Sequence, residues 1–157
     1  MKHNVLSADA LTKFIVIASA SRSNLSAGEN MMRNAQAQHQ VRSMSRCAVA
    51  IESVTGFYRE DIAQDGSYEQ SFAIAINTNT ALRALKQLFC GIYEQDCILV
   101  WNRDTDSVWL MNDVGMTEIG KRGMRKTWSS LHAAEVNNWI QPDAYTVAAD
   151  GSVWEVR

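Results

Sequence analysis

The most regular alternation of hydrophobic and polar positions lies between Ala48 and Asn77, and it predicts two long strands joined by a polar connection. In the first arm Val49, Ile51 and Phe57 share one parity, and Ala48, Ala50, Glu52, Val54 and Tyr58 share the other. The second arm sets Phe72, Ile74 and Ile76 on a bulky face, opposite Glu69, Ser71, Ala73 and Ala75. Glu52, Tyr58 and Glu69 therefore fall on one face of a β-hairpin. The connection, Arg59 to Ser67, carries Asp65-Gly66, a turn-forming pair.

Upstream of the hairpin, Lys13 to Ala18 is apolar on both parities after its lysine, the pattern of a central strand covered on both faces. Ser19 to Asn24 supplies short capping side chains, and Leu25 to Ser43 predicts the first helix. Met31, Met32, Ala35 and His39 recur at helical spacing and predict its packing face. Met1 to Thr12 is weakly patterned. Downstream, Asn77 to Thr80 caps a second helix with Ala81, Leu82, Leu85, Leu88, Phe89 and Ile92 on one face, ending near Tyr93. Cys97 to Trp101 and Ser107 to Met111 read as strands joined by the turn Arg103 to Asp106.

The resulting order predicts an α+β fold: a ferredoxin-like βαββαβ antiparallel sheet with two helices on one face, over a core of about residues 13–112. A C-terminal extension, residues 113–157, completes a single domain spanning residues 1–157. Within it Lys121 to Lys126 reads as a basic, mobile loop, Ser129 to Ile140 as a short helix, and Tyr145 to Val156 as a closing hairpin around Asp150-Gly151. Two helices cover only one face of such a sheet. The small-residue face, with Ala48, Ala50, Ala73 and Ala75, then needs either the C-terminal segment or an identical subunit over it, and we favour a symmetric oligomer. Glu52, Tyr58 and Glu69 would border a cleft between subunits.

Composition narrows the function classes. A chain of 157 residues with 46% hydrophobic and 20% charged content has enough apolar material for one packed core. A formal charge of −2, with no long Lys/Arg run, gives no electrostatic footprint for nucleic acid. Cys47, Cys90 and Cys97 form no C-x-x-C, so neither a disulfide framework nor a zinc site is indicated, and a reduced, cytoplasmic setting is expected. The apolar run Phe14 to Ala20 is too short to span a membrane.

Arg22 to Leu25, Asn30-Met31 with Arg33, Glu52-Ser53 followed by Thr55-Gly56 and Tyr58 to Glu60, Glu94 to Cys97, and Gly151 with Trp154 carry a resemblance. In that order the chain resembles the phage-encoded S-adenosylmethionine lyases, also described as S-adenosylmethionine hydrolases. The likeness runs from residue 22 to residue 154 and is weakest between Asn112 and Ala144. It implies a host-cytoplasmic enzyme yielding methylthioadenosine and homoserine lactone, without metal or cofactor. It also implies a homotrimer with active sites between subunits, and depletion of host S-adenosylmethionine as an anti-restriction effect.

In such a lyase the methionine carboxylate attacks its own γ carbon, so the enzyme supplies conformation and water exclusion. Glu69 is suited to hold the α-ammonium group and Tyr58 to order that carboxylate or the substrate chain; these are the candidate catalytic residues. Arg22, Ser23, Asn24 and Glu52 are candidate substrate-binding residues. A bidentate Arg grip on the nucleophilic carboxylate would stabilise the ground state, which argues against Arg22 in that role. The alternatives are a hydrolase, with Glu69 as general base on water, and a non-catalytic trimer that binds an adenosine ligand.

Overall fold

The structure, a computed structural model, describes residues 4–7, 12–44, 48–59 and 66–157; Cys47 and Asp65 lie outside them. Nine strands form one antiparallel sheet: β1 (Phe14–Ala18), β2 (Ala48–Tyr58), β3 (Ser67–Ile76), β4 (Ile98–Asn102), β5 (Ser107–Met111), β6 (Met116–Gly120), β7 (Met124–Trp128), β8 (Ala144–Val147) and β9 (Val153–Val156). Their order across the sheet is β6-β5-β4-β1-β3-β2-β8-β9-β7. The residue after β9 meets the start of β7 where Arg157 N–H donates to the Gly123 carbonyl (2.9 Å), and the connection that follows β6 meets it where Arg122 N–H donates to the Arg157 carbonyl (3.1 Å). Gly120 packs so closely on Val156 and the Arg157 carbonyl that it has no room for a Cβ. The sheet is thus a nearly closed barrel.

This corrects the expected ferredoxin-like βαββαβ fold with an appended extension. The C-terminal segment lengthens the sheet at both edges and curls it over the small-residue face. The reason lies in side-chain volume: Ala73 and Ala75, 0% and 1% exposed, leave space for the indoles of Trp101 and Trp154 in an interior cluster with Ile15, Ile17, Val54 and Met124. Val5 and Leu6, in a short 3-10 turn, pack into the same cluster, so the N-terminal segment contributes to the core. The face assigned to an oligomer interface is covered by the chain itself at Ala73 and Ala75, while Ala50 is exposed.

The other face carries Phe14, Val16, Phe72, Ile74, Ile76, Ile98 and Val100, covered by helices α1 (Ala27–Ser43) and α2 (Asn79–Lys86) with the π-helical turn Gln87–Ile92. A capping box fixes the start of α1: Ser26 accepts from Glu29 N–H, and the Glu29 side chain accepts from Ser26 N–H. The buried residues of α1 are Asn34, Ala37 and Val41. Met31 and Met32 are 67% and 75% exposed, and Ala35 and His39 are also exposed, so the expected packing face is corrected. Polar Asn34 decides the orientation, accepting from Ala20 N–H (3.1 Å) and donating to Ser21 Oγ (2.8 Å), while Ala37 permits close approach to the sheet.

On the second helix, Ile92 is corrected from packing residue to surface, at 63% exposure, and Tyr93 is buried instead. The wider π turn, closed by Tyr93 N–H to the Leu88 carbonyl (3.1 Å), delays the phase by one residue. The expected basic loop Lys121 to Lys126 is corrected in its second half, which belongs to β7. There Arg125 pairs with Asp106, and the Trp101 indole N–H donates to the same carboxylate (3.0 Å). Gly123, at φ +68°, sits against these side chains in a conformation and a space that both exclude a Cβ. Helix α3 (Leu131–Val136) starts at a Ser130 cap, and β8 pairs with β9 as a hairpin. Among the described residues, no helix is long and apolar enough to cross a membrane.

Candidate active site

A cleft of about 360 Å³ opens beside the hairpin, between the ends of β1, β2, β3 and β8 and the loop Gln95–Cys97. Its placement follows from strand register. Gly56 pairs with Glu69, Tyr58 with Ser67, and Gly56 also with Thr146 of β8. The period of two then sends Tyr58, Ser67, Glu69, Ser71 and Thr146 to the same side of the sheet, and all five line the cleft. Gly56 keeps that wall open, since a Cβ there would lie 3.0 Å from Ser71 Oγ.

Glu69 is half-buried, and burial is the main reason its carboxyl pKa is raised above the ordinary value; the nearby negative Asp96 raises it further. Two carboxylates thus face one partly desolvated space, which favours a ligand carrying positive charge. The apolar lining comes from Ile17, Ala18, Cys97, Leu99 and Leu110. On the opposite side of the same strands Phe57 stacks on Tyr145 with ring centroids 4.7 Å apart, and Tyr68 lies 4.9 Å from Phe57. The Tyr145 hydroxyl shares a hydrogen bond with Tyr68 and accepts from Gln141 Nε2 (2.7 Å). Burial, followed by the Tyr68 bond, pushes its pKa up, so it remains a neutral phenol.

Of the residues singled out in the sequence, Glu69 and Tyr58 both line this cleft, with Tyr58 38% exposed. Arg22, Ser23 and Asn24 are not among its lining residues. They belong to the loop after β1, which borders the cleft wall: Gln95 Nε2 donates to the Ser21 carbonyl (2.8 Å) and Arg22 Nη1 to the Glu94 carbonyl (2.8 Å). Glu52 lies outside the cleft, and both its oxygens accept from main-chain amides, those of Val5 (2.9 Å) and Ala149 (3.2 Å).

Several lining residues had been given no role. Asp96 lies in the Glu94–Cys97 motif but reads locally as a helix terminator. Tyr145 and Thr146 reach the site only through β2–β8 pairing, which carries no local sequence signal. Arg59, next to Tyr58, is also a lining residue, but its guanidinium turns to Asp143: Nε and Nη2 donate to Asp143 Oδ1 (3.1 and 2.9 Å), and Nη2 also to the Gln141 carbonyl (3.4 Å). Among the described residues, no group of three or more His, Cys, Asp or Glu side chains is placed to hold a metal ion.

A family model for the S-adenosylmethionine lyase family matches residues 16–157. The chain is also 30% identical, over 105 residues, to an S-adenosylmethionine lyase of Enterobacteria phage T3; the match covers 66% of this chain and 69% of that protein.

Proposed function

Because the chain belongs to the S-adenosylmethionine lyase family, we propose that it cleaves S-adenosylmethionine in the Glu69 cleft to methylthioadenosine and L-homoserine lactone. The carboxylate oxygen forms a bond to the γ carbon, the carbon–sulfur bond breaks, and its electron pair returns to sulfur as a neutral thioether. No water, proton or external nucleophile is consumed. The observation that carries this reading is the pair of carboxylates, Glu69 and Asp96, lining one cleft, because the substrate brings two cations, an ammonium and a sulfonium, to meet them.

Glu69 holds the α-ammonium group and Tyr58 orders the substrate chain. Ile17, Ala18, Leu99 and Leu110 supply the apolar surface that suits an adenine ring. Pinning carboxylate and γ carbon in near-attack geometry is the main rate term, with an upper range of roughly 7–11 kcal/mol in favourable intramolecular systems. Arg22, Ser23 and Asn24 contact the outer part of the substrate from the bordering loop. The chain is phage-encoded, acts in the host cytoplasm and lowers the S-adenosylmethionine available to restriction and methylation systems. A homotrimer with intersubunit sites is its assembly, and light scattering giving the mass of one chain would remove that part.

The reaction is tested by mass spectrometry of the products formed in water enriched in oxygen-18. Unlabelled lactone appearing first is the expected result. Labelled homoserine appearing at once indicates Glu69 acting as a general base on water, and unchanged substrate indicates a binding protein without turnover.

A further inference from the structure

We propose that Thr146 is a further substrate-binding residue, whose hydroxyl donates to one oxygen of the substrate carboxylate while Glu69 holds the ammonium on the same α carbon; the inference rests on the lyase reading of the cleft. Thr146 lines the cleft and is 2% exposed, yet among the described residues its hydroxyl has no hydrogen-bond partner. Buried hydroxyls are ordinarily bonded, so this one is a donor left over for a ligand. The other buried hydroxyls around the cleft are committed. Ser19 Oγ donates to the Gln70 carbonyl (2.6 Å) and Ser71 Oγ to the Glu69 carbonyl (3.1 Å). The Tyr145 hydroxyl is bonded to Tyr68 and Gln141 on the opposite side of the strands.

Strand register assigns this donor to the carboxylate. Gly56 pairs with Glu69 on one side and with Thr146 on the other, so the three lie in one row across β3, β2 and β8. Neighbouring strands are about 4.8 Å apart, which puts Glu69 and Thr146 about 10 Å apart at the backbone, with both side chains on the same side of the sheet. The residue between them has no side chain. Ser71 Oγ and an Ile17 methyl bound the inner end of the gap, 3.0 and 3.9 Å from where a Gly56 Cβ would stand. Tyr58, one row outward, borders its outer end. A ligand group that meets Glu69 and Thr146 together must carry a cation and a hydrogen-bond acceptor close to each other. The amino-acid head of S-adenosylmethionine has both on one carbon, whereas its ribose hydroxyls are separated from the ammonium by the γ chain and the sulfur.

A neutral donor also suits the reaction. It orients the carboxylate without the ground-state stabilisation that a charged clamp would give. Arg59, the only lysine or arginine among the described lining residues, turns to Asp143 instead. A single hydroxyl holds a single carboxylate oxygen, which becomes the lactone carbonyl oxygen and still accepts a hydrogen bond. The second oxygen stays free to bond to the γ carbon, so the contact serves near-attack geometry.

Thr146→Val removes the hydroxyl and keeps the shape of the side chain, and two ligands read its effect without turnover. S-adenosylhomocysteine, which keeps the carboxylate, should bind the Val variant about 10-fold more weakly than native protein. Decarboxylated S-adenosylmethionine, which keeps the ammonium and sulfonium, should bind both within about 2-fold. With S-adenosylmethionine itself, kcat/KM should fall about 10-fold in the Val variant, and Thr146→Ser should return it to within about 3-fold of the native value. The Val variant should melt no lower than native protein, because no bond within the protein is lost. Equal weakening of the two ligands, unchanged binding of S-adenosylhomocysteine, a Ser variant as slow as the Val variant, or a lowered melting temperature would overturn the inference. Native protein that leaves S-adenosylmethionine uncleaved, with the carboxylate-selective loss still present in the Val variant, would overturn the lyase reading and keep the contact. Native protein that binds neither ligand and cleaves nothing would overturn both.

Discussion

Replacing Glu69 by glutamine keeps volume and hydrogen-bonding reach and removes one negative charge from the cleft. At about 4 Å and an effective dielectric near 20, a carboxylate–ammonium pair is worth roughly 4 kcal/mol before desolvation is counted. Glu69 is only half-buried, Asp96 still contributes negative potential, and the amide retains a polar contact. These reduce the net loss to about 2–4 kcal/mol, or roughly 30- to 1,000-fold in kcat/KM. Steady-state kinetics across pH reads this and one thing more. Native kcat/KM should fall as pH drops through the raised Glu69 pKa, because the protonated carboxyl no longer attracts the ammonium, and the Gln variant should lack that acid limb.

Stability runs the opposite way. A carboxyl whose pKa is raised on folding favours the folded state below its unfolded value, and that contribution is lost as pH rises through the folded pKa. At neutral pH the ionised Glu69 therefore costs stability, so Glu69→Gln should melt higher than native protein, with the difference closing at acid pH. A Gln variant with near-native kcat/KM, or one that keeps the same acid limb, would refute the role assigned to Glu69. A lowered melting temperature would refute the electrostatic account of its environment.

Ala73→Arg places a charge inside the barrel beside Trp101 and Trp154 and should abolish folding, seen as lost near-ultraviolet dichroism; a folded, soluble monomer would contradict the barrel interior. Asn34→Ala leaves the buried Ala20 N–H unpaired and should cost about 1–3 kcal/mol, near 2–4 °C of melting temperature for each kcal/mol. Glu52→Gln should likewise lower the melting temperature, because one oxygen acceptor for Val5 or Ala149 is lost, while KM stays unchanged; a raised KM without destabilisation would return Glu52 to the substrate.

The strands and the shared face of Tyr58 and Glu69 were legible because a period of two is local, and β2 and β3 keep it through nine consecutive residues of each arm, up to an irregularity between Ala48 and Ala50. Three things were not. The identity of the helix face depended on Asn34, a polar residue that hydropathy assigns to solvent but that hydrogen bonds draw inward. The burial of Tyr93 in place of Ile92 depended on a π turn, which shifts phase without altering composition. The closure of the sheet depended on pairing between β2 and β8 and on contacts of Gly120 and Gly123 with distant residues, none of which leaves a local pattern. For the same reason Glu69 and Tyr58 could be placed together from the sequence, while Asp96, Tyr145 and Arg59 joined them only in three dimensions.

The central claim is that Glu69 holds the substrate ammonium, and a thermodynamic cycle tests it most directly. Native enzyme and Glu69→Gln are each assayed with S-adenosylmethionine and with its analogue lacking the α-amino group. If the contact is real, either change alone lowers kcat/KM severely, and both together lower it little further, because they remove one interaction. Fully additive losses would contradict the account, placing the action of Glu69 on some other part of the substrate.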